Sequence, residues 1–330
     1  LDLVSVDSDT SSPSATASAS TLNDNHDNNN NNNNNPYWYL SSLVRTNDVG
    51  NAETWSADLE LMHHYTAVTC KTMPTPSELL NIWQLELPRL AASHDFLMHQ
   101  LLAMSATHMA YLSPDRSNAC LIRATQHQNK AIQSLQGTLS AISRDNCHAI
   151  FLTASLLSLG AFAALSESPH QKSRPGIDDL LHVFLLIRGM SDIVKSYHDD
   201  IAQGPAGQLL QMGQYELASA LLLDTAAKLR YMVSVNAANG PLQQGAASLD
   251  NCIQQAGIST AAPEFRVSVA WPADLPEGFT TLLRLRSPDA LRLLTLYCRI
   301  LDSVSDDYWY VRGWGASVLR DIDRALLAVS

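Results

Sequence analysis

Between Asp145 and Glu167 lie twenty-one residues, Asn146 to Ser166, that carry no charge. Within them Ile150, Phe151, Leu152, Leu156, Leu157, Leu159, Phe162 and Leu165 point in every direction around a helical wheel. A helix that is apolar all round has to be surrounded by other structure. At ~1.5 Å per residue it would run roughly 30 Å, which is also the thickness of a membrane's hydrocarbon layer. His148, Thr153, Ser155, Ser158 and Gly160 interrupt the run, however, and neither end carries an aromatic belt or a cluster of Lys and Arg. The stretch therefore reads as the buried central helix, about residues 146–165, of a soluble helical domain, with no membrane span. Its small and hydroxylated positions either let neighbours pack tightly or leave room for an apolar guest.

A chain of 330 residues, 46% of them hydrophobic, can build one large core or two smaller ones. Lys and Arg number 21 against 32 Asp and Glu, and a net charge of -11 argues against a nucleic-acid-binding surface in this stretch. Cys70, Cys120, Cys147, Cys252 and Cys298 are odd in number and widely spaced, which fits buried thiols and neither a disulfide framework nor a zinc cluster. The chain opens at Leu1, without a secretory signal, and reads as a fragment whose N-terminus lies upstream.

Residues 1 to about 50 stand apart. Ser and Thr dominate Asp7 to Thr21, and Asn28 to Asn35 form an unbroken asparagine tract. Neither composition buries enough apolar surface to offset chain ordering, so this is expected to be a disordered linker. The Pro36-Tyr37-Trp38-Tyr39-Leu40 patch that follows reads as a docking segment or a solvated tail. Residues 51–330 form the helical domain.

Helical signals begin at Thr54, an expected N-cap, with Leu59, Met62, Tyr65 and Val68 as a stripe. Ser77 is expected to cap Glu78 to Leu87, which Pro88 kinks or stops. The spacing then predicts helices over Asp95 to Leu112 and, after Ser113-Pro114, to about Ser143, with Leu121, Gln128, Ile132, Leu135, Leu139 and Ile142 along one side. After the central helix come Ile177 to Tyr197, with a kink at Gly189, and Leu209 to Val235, closed by Asn239-Gly240-Pro241. Leu242 to Glu264 reads as a mobile region with a short helix around Leu249 to Gln255. Val267 to Trp271, with β-branched residues at alternate positions, reads as an extended surface segment. Ser287-Pro288 opens Asp289 to Val304, with Leu291, Leu294, Tyr297, Cys298 and Leu301 inward. Tyr308 to Gly315 then leads into an amphipathic helix ending at Ala328. The class is all-α, a multi-helix array around the central helix.

The motifs of catalysis fail on their own requirements. Gly313-Trp314-Gly315 lacks the third glycine of a dinucleotide fingerprint, since Val318 stands there, and too little chain follows to complete a βαβ unit. No two of the 11 histidines have helical i, i+4 spacing around a carboxylate. No Gly-x-Ser-x-Gly elbow exists. Cys147 and His148 are neighbours that diverge by ~100° on a helix. The pairs Asp178-Asp179, Asp199-Asp200 and Asp306-Asp307 sit at helix ends, where capping or solvated acids are ordinary.

Three stretches taken together resemble one family. Leu59-Glu60-Leu61-Met62-His63-His64-Tyr65-Thr66, then Trp83-Gln84, Pro88-Arg89-Leu90-Ala91 and His94 to His108 resemble the opening of the regulatory domain in fungal binuclear-zinc-cluster transcription factors of the sterol uptake control type. Tyr308-Trp309-Tyr310-Val311-Arg312-Gly313-Trp314 is similar to that family's closing motif, and His127-Gln128-Asn129-Lys130-Ala131 and Asn146-Cys147-His148-Ala149 fall where its middle helices do. The resemblance covers about residues 55 to 328. It implies a nuclear regulator that exchanges with the cytoplasm and works as a homodimer. It also implies a zinc-bearing DNA-binding domain upstream, joined by the asparagine-rich linker. This chain holds five cysteines where such a cluster needs six, so zinc and DNA belong to the domain upstream and no cofactor is expected here.

By the same resemblance the effector is an apolar metabolite, foremost a sterol such as ergosterol. Such a site needs an apolar slot with one polar group for the hydroxyl. The candidates are Phe151, Ser155, Leu156, Leu159 and Phe162 on the central helix, Phe184, Leu185 and Met190 on the next, and Tyr310, Gly313, Trp314 and Gly315 in the end motif, acting as a lid. The plainer reading of each is core packing. The rival function is a ligand-free module for dimerisation and coactivator docking. An enzyme is not expected.

Overall fold

A computed structural model describes residues 55–73, 80–168, 174–210, 219–235, 239–260 and 262–328. The linker, the aromatic patch after it, and the caps expected at Thr54 and Ser77 lie outside the described residues. Among those described there are thirteen α-helices and no strand, as the all-α reading expects.

Helix α1, Trp55–Ala67, buries Leu61 and Tyr65, one turn apart. Leu59 and Val68, expected in the inward stripe, are exposed, so the buried face is rotated from the one the spacing suggests. Pro88 does not stop the next segment. A π-helical turn, Ile82–Glu86, runs directly into α2, Leu87–Ala91, with Pro88 in its first turn. A proline lacks the N–H for the i−4 bond and its ring crowds that carbonyl, and the wider turn just before it accommodates both. Helix α3, Asp95–Leu112, packs lengthwise on α4, Ser117–Thr138, after a single 3-10 turn at Pro114–Arg116. On α4 the inward residues are Cys120, Ala124, His127, Ala131, Ile132 and Leu135, and Leu121 is exposed.

The uncharged stretch forms α5, Cys147–Ala163, buried as expected on several faces at once. Asn146 turns the chain into it: its Oδ1 accepts from Ser143 N–H (2.8 Å) and its Nδ2 donates to Ala141 O (3.0 Å). Thr153 and Ser158 are buried because each hydroxyl donates to the carbonyl four residues back, at Ala149 (2.7 Å) and Ala154 (2.9 Å). A hydroxyl satisfied within its own helix enters a core without leaving an orphan donor. Burial of side chains such as Ile150, Leu156 and Phe162 stabilises the fold by about 1.5–3 kcal/mol each.

Helix α6, Ile177–Ser196, lies against α5 and runs through Gly189 without interruption. A short α7, His198–Gln203, follows, and α8 spans Ala220–Val235, a shorter helix than the expected start at Leu209 implies. Its start is set by Ser219, whose hydroxyl accepts from Leu222 N–H (3.3 Å) and bonds Glu264.

Two further readings are corrected. Asn239-Gly240-Pro241 opens a helix: Asn239 Oδ1 accepts from Leu242 N–H (3.2 Å), Pro241 sits in the first turn, and α9 runs from Gly240 to Ser259. Leu242, Ala246, Leu249, Ile253 and Ala256 recur at three- and four-residue steps and are all buried. Val267 to Trp271 is likewise helical, in α10, Pro263–Ala270, continued by a 3-10 turn Trp271–Asp274. The alternating valines suggested an extended surface segment, yet Val267 and Trp271 stand one helical turn apart and both are fully buried, so tertiary packing decides against β-propensity. Helices α11, Glu277–Arg284, α12, Pro288–Ser303, and α13, Trp314–Leu327, complete the array. No helix among the described residues is long and apolar enough to cross a membrane.

Candidate functional site

The end motif is a wedge set between α3, α5 and α12. Trp309 to Val311 form a 3-10 turn. Trp309 stacks on His108 of α3 (4.7 Å between centroids) and donates from Nε1 to Thr72 Oγ1 (3.1 Å). His108 Nδ1 in turn lies 3.0 Å from Thr69 Oγ1. Burial, then the neighbouring His64, pushes the His108 imidazole down from its ordinary 6.5 to about 4, so it stays neutral in this stack. Arg312 donates to Tyr111 Oη (3.0 Å) and pairs with Asp306, while its carbonyl accepts from Glu167 N–H (2.8 Å) just past α5.

Both glycines of the motif are dictated by close approach. Gly313 has φ +77, the left-handed region, and a Cβ there would lie 2.8 Å from Glu167 Cβ. Its N–H donates to Ser305 Oγ (2.9 Å). A Cβ on Gly315 would lie 2.6 Å from the Asp302 backbone, because α13 starts against α12 at that point, and Asp302 Oδ1 accepts from Ala316 N–H (2.9 Å). Between the two, Trp314 is fully buried, meets Phe162 edge-on (5.1 Å) and donates from Nε1 to Phe162 O (2.8 Å).

The expected ligand residues fall into separate groups. Phe162, Trp314, Gly313 and Gly315 meet at the C-terminal end of α5. Ser155 and Met190 meet in the α5–α6 seam, where Ser155 Oγ–H lies 3.1 Å from Met190 Sδ and 2.8 Å from Phe151 O. With Leu185 these two are half-buried, whereas Phe151, Leu156 and Leu159 are buried. Phe184 belongs to an aromatic cluster with Tyr297 (5.3 Å) and Trp271 (6.0 Å). Tyr310 packs near Phe265 and Tyr308, fully buried, its hydroxyl without a partner. Opening the motif as a lid means parting Trp314 from Phe162 and Arg312 from Glu167.

One feature was not anticipated. Between α8 and α12 lies an open groove of about 550 Å³, lined by Tyr231, Val235 and Leu296 together with Lys228, Asp289 and Arg292. The signal was present in the sequence as apolar residues at four-residue steps, Leu223, Ala227, Tyr231 and Val235, but nothing in the pattern says that this face is left outward.

Reactive groups are muted. The five cysteines are free, and burial raises all their thiols, that of Cys252 to about 12, so they remain protonated and poor nucleophiles. Among the described residues no three His, Cys, Asp or Glu gather in a metal-binding arrangement, and the dispersed cysteines do not fit a zinc cluster.

Residues 60–225 match the family model of the fungal specific transcription factor domain. Sterol uptake control protein 2 of Candida albicans is 34% identical over 129 residues, 38% of this chain and 18% of that protein. A Zn(2)-C6 fungal-type transcription factor of Gibberella zeae is 34% identical over 125 residues, 36% of this chain and 25% of its own length. Sterol uptake control protein 2 of Saccharomyces cerevisiae is 24% identical over 287 residues, which is 81% of this chain but 30% of that protein. The chain thus spans less than a third of the length of these relatives. The model match takes in part of α1 and all of α2 to α7, which hold the docking surface of the end motif on α3 and α5, and by it the chain belongs to the fungal specific transcription factor domain family, as a regulatory domain of transcription and not an enzyme.

Proposed function

We propose that this domain is the effector-responsive part of a nuclear, homodimeric transcription factor whose DNA contacts and zinc lie in a six-cysteine domain outside these residues, and that its effector is an apolar metabolite of the sterol class. The names of the relatives from Candida albicans and Saccharomyces cerevisiae support the sterol class, and that from Gibberella zeae supports the zinc cluster.

The observation that carries the reading is the bond from Trp314 Nε1 to Phe162 O, which anchors the end motif on the central helix. A molecule that repacks α5 therefore also repacks the motif. The α5–α6 seam where Ser155 meets Met190 is the entry: both residues are half-buried, and it carries one hydroxyl. Ser155 Oγ–H can serve Phe151 O or Met190 Sδ, and the thioether is a weak acceptor, so a sterol hydroxyl competes for that proton at small cost. Binding selects the packing in which the seam is open, and the motif follows by population shift.

Lipid extraction of the purified chain followed by mass spectrometry tests this, together with thermal unfolding in ergosterol. A stoichiometric sterol, or stabilisation of about 2.7 kcal/mol at ligand one-hundredfold above Kd, is expected. An empty chain that sterols do not stabilise favours the ligand-free docking module, a reading that the dense packing of Phe162, Phe184 and Trp314 supports.

A further inference from the structure

The outward face of α8 is strongly apolar. Leu223, Tyr231 and Val235 are exposed at 60%, 71% and 61%, and Ala227 lies between them on the same four-residue ridge. Exposed large apolar side chains in a continuous row mark an interaction surface. The groove between α8 and α12 runs along the C-terminal half of this ridge.

The charges beside the ridge narrow the occupant. Lys228 pairs with Asp224 (2.5 Å) and Arg292 with Asp289 (2.7 Å), so the rim carries both signs and little net charge. A strongly acidic or basic partner gains nothing there. An apolar ridge that itself carries alternating charge does, and α8 is such a ridge. About Ala227, Leu223 and Tyr231 stand four residues to either side and Ala220 and Ser234 seven, while Val235 stands opposite Ser219 at eight. Residues four and seven apart share a helix face, and a small residue at the centre lets two helices approach closely.

We propose that α8 pairs antiparallel with α8 of a second copy of this chain, about a two-fold axis at Ala227. The partner's Leu223 then packs against Tyr231 at the groove, and the partner's Asp224, on the groove flank of the ridge, comes beside Lys228 and Arg292. The axis makes the same contact twice, as an isologous interface requires. A single helix of ~24 Å gives an interface at the small end of the range, so association is concentration-dependent. This rests on the homodimer reading above and names its surface.

Sedimentation velocity of the full chain through the micromolar range, with cross-linking by a mild thiol oxidant, tests it. Expected are a monomer–dimer equilibrium, a Kd raised at least tenfold by Tyr231→Asp with the unfolding midpoint unchanged, and several-fold weakening by Asp224→Lys that fades at high salt. Ala227→Cys lies on the axis and should form an intermolecular disulfide, two thiols giving two electrons and two protons to the oxidant. Ser234→Cys should not, because its two copies would stand roughly 20 Å apart. A dimer that survives Tyr231→Asp and does not cross-link at residue 227 overturns this surface and leaves the homodimer reading standing. Equal cross-linking at both positions overturns the antiparallel register. A chain that stays monomeric overturns both readings, and if a hydrophobic dye saturates its groove, the groove belongs to a small apolar ligand.

Discussion

Trp309 lies 4.7 Å from His108, 24° from parallel, and joins residues about two hundred positions apart in the chain into one stack. A charged imidazole does not belong in it. The His108 pKa falls from 6.5 to about 4 because burial penalises the charged form, so between those values the unfolded chain binds a proton that the folded chain refuses. The stability that depends on neutral His108 is complete above pH 6.5 and is lost as pH falls toward 4, by roughly 3 kcal/mol in total. Urea unfolding at pH 5 and pH 7 should show a smaller difference in His108→Gln than in the parent. An identical pH dependence in the two would remove His108 as its source.

Trp314→Ala should destabilise the domain by about 3–5 kcal/mol, since it empties a buried indole site at the end of α5. Trp314→Phe keeps an aromatic ring but leaves the Phe162 carbonyl without its donor, at a cost of about 1–3 kcal/mol. Denaturant midpoints measure both, and a loss under 1 kcal/mol for the alanine variant contradicts the anchoring role.

Gly313 and Gly315 should respond differently to alanine. At Gly313 the left-handed backbone costs roughly 1–2 kcal/mol and the Glu167 side chain adds a clash, which Glu167→Gly, by removing the Cβ, should partly relieve in the double variant. At Gly315 the obstacle is the Asp302 backbone, so no side-chain truncation offers relief. A double-mutant cycle at residues 313 and 167 that shows strict additivity would argue against the contact.

Asn239→Ala removes the cap on α9 and should cost about 1 kcal/mol, with Asn239→Asp restoring most of it. Thermal unfolding of the three chains decides the point. Equal midpoints would mean that the helix start is held by packing alone.

The core was legible wherever the chain speaks through burial. Residues 146–165 announce a surrounded helix because no charge interrupts them, and α12 announces its inward face through Leu291, Leu294, Tyr297, Cys298 and Leu301. The misreadings share a cause. Asn239-Gly240-Pro241 carries stop signals and start signals in the same residues, and only the contact from Leu242 N–H to Asn239 Oδ1 tells which applies. Val267 and Val269 favour a strand locally, and the burial that overrules them comes from distant helices. Which of the candidate residues touch was not legible, since spacing along α5 cannot say that Phe162 meets Trp314 while Ser155 meets Met190. The outward ridge of α8 looked like any other apolar stripe.

The wedge of residues 309–315 also sets an order of events during synthesis. Its partners, at residues 69–72, 108–111 and 162–167, leave the ribosome long before it does. Until it arrives, the end of the uncharged helix and the His108 face of α3 lack the side chains that cover them, and an exposed apolar surface of that kind invites chaperones and misassociation. Nascent chains stalled before Trp309 should therefore remain protease-sensitive through α3 and α5, and chains extended past α13 should not.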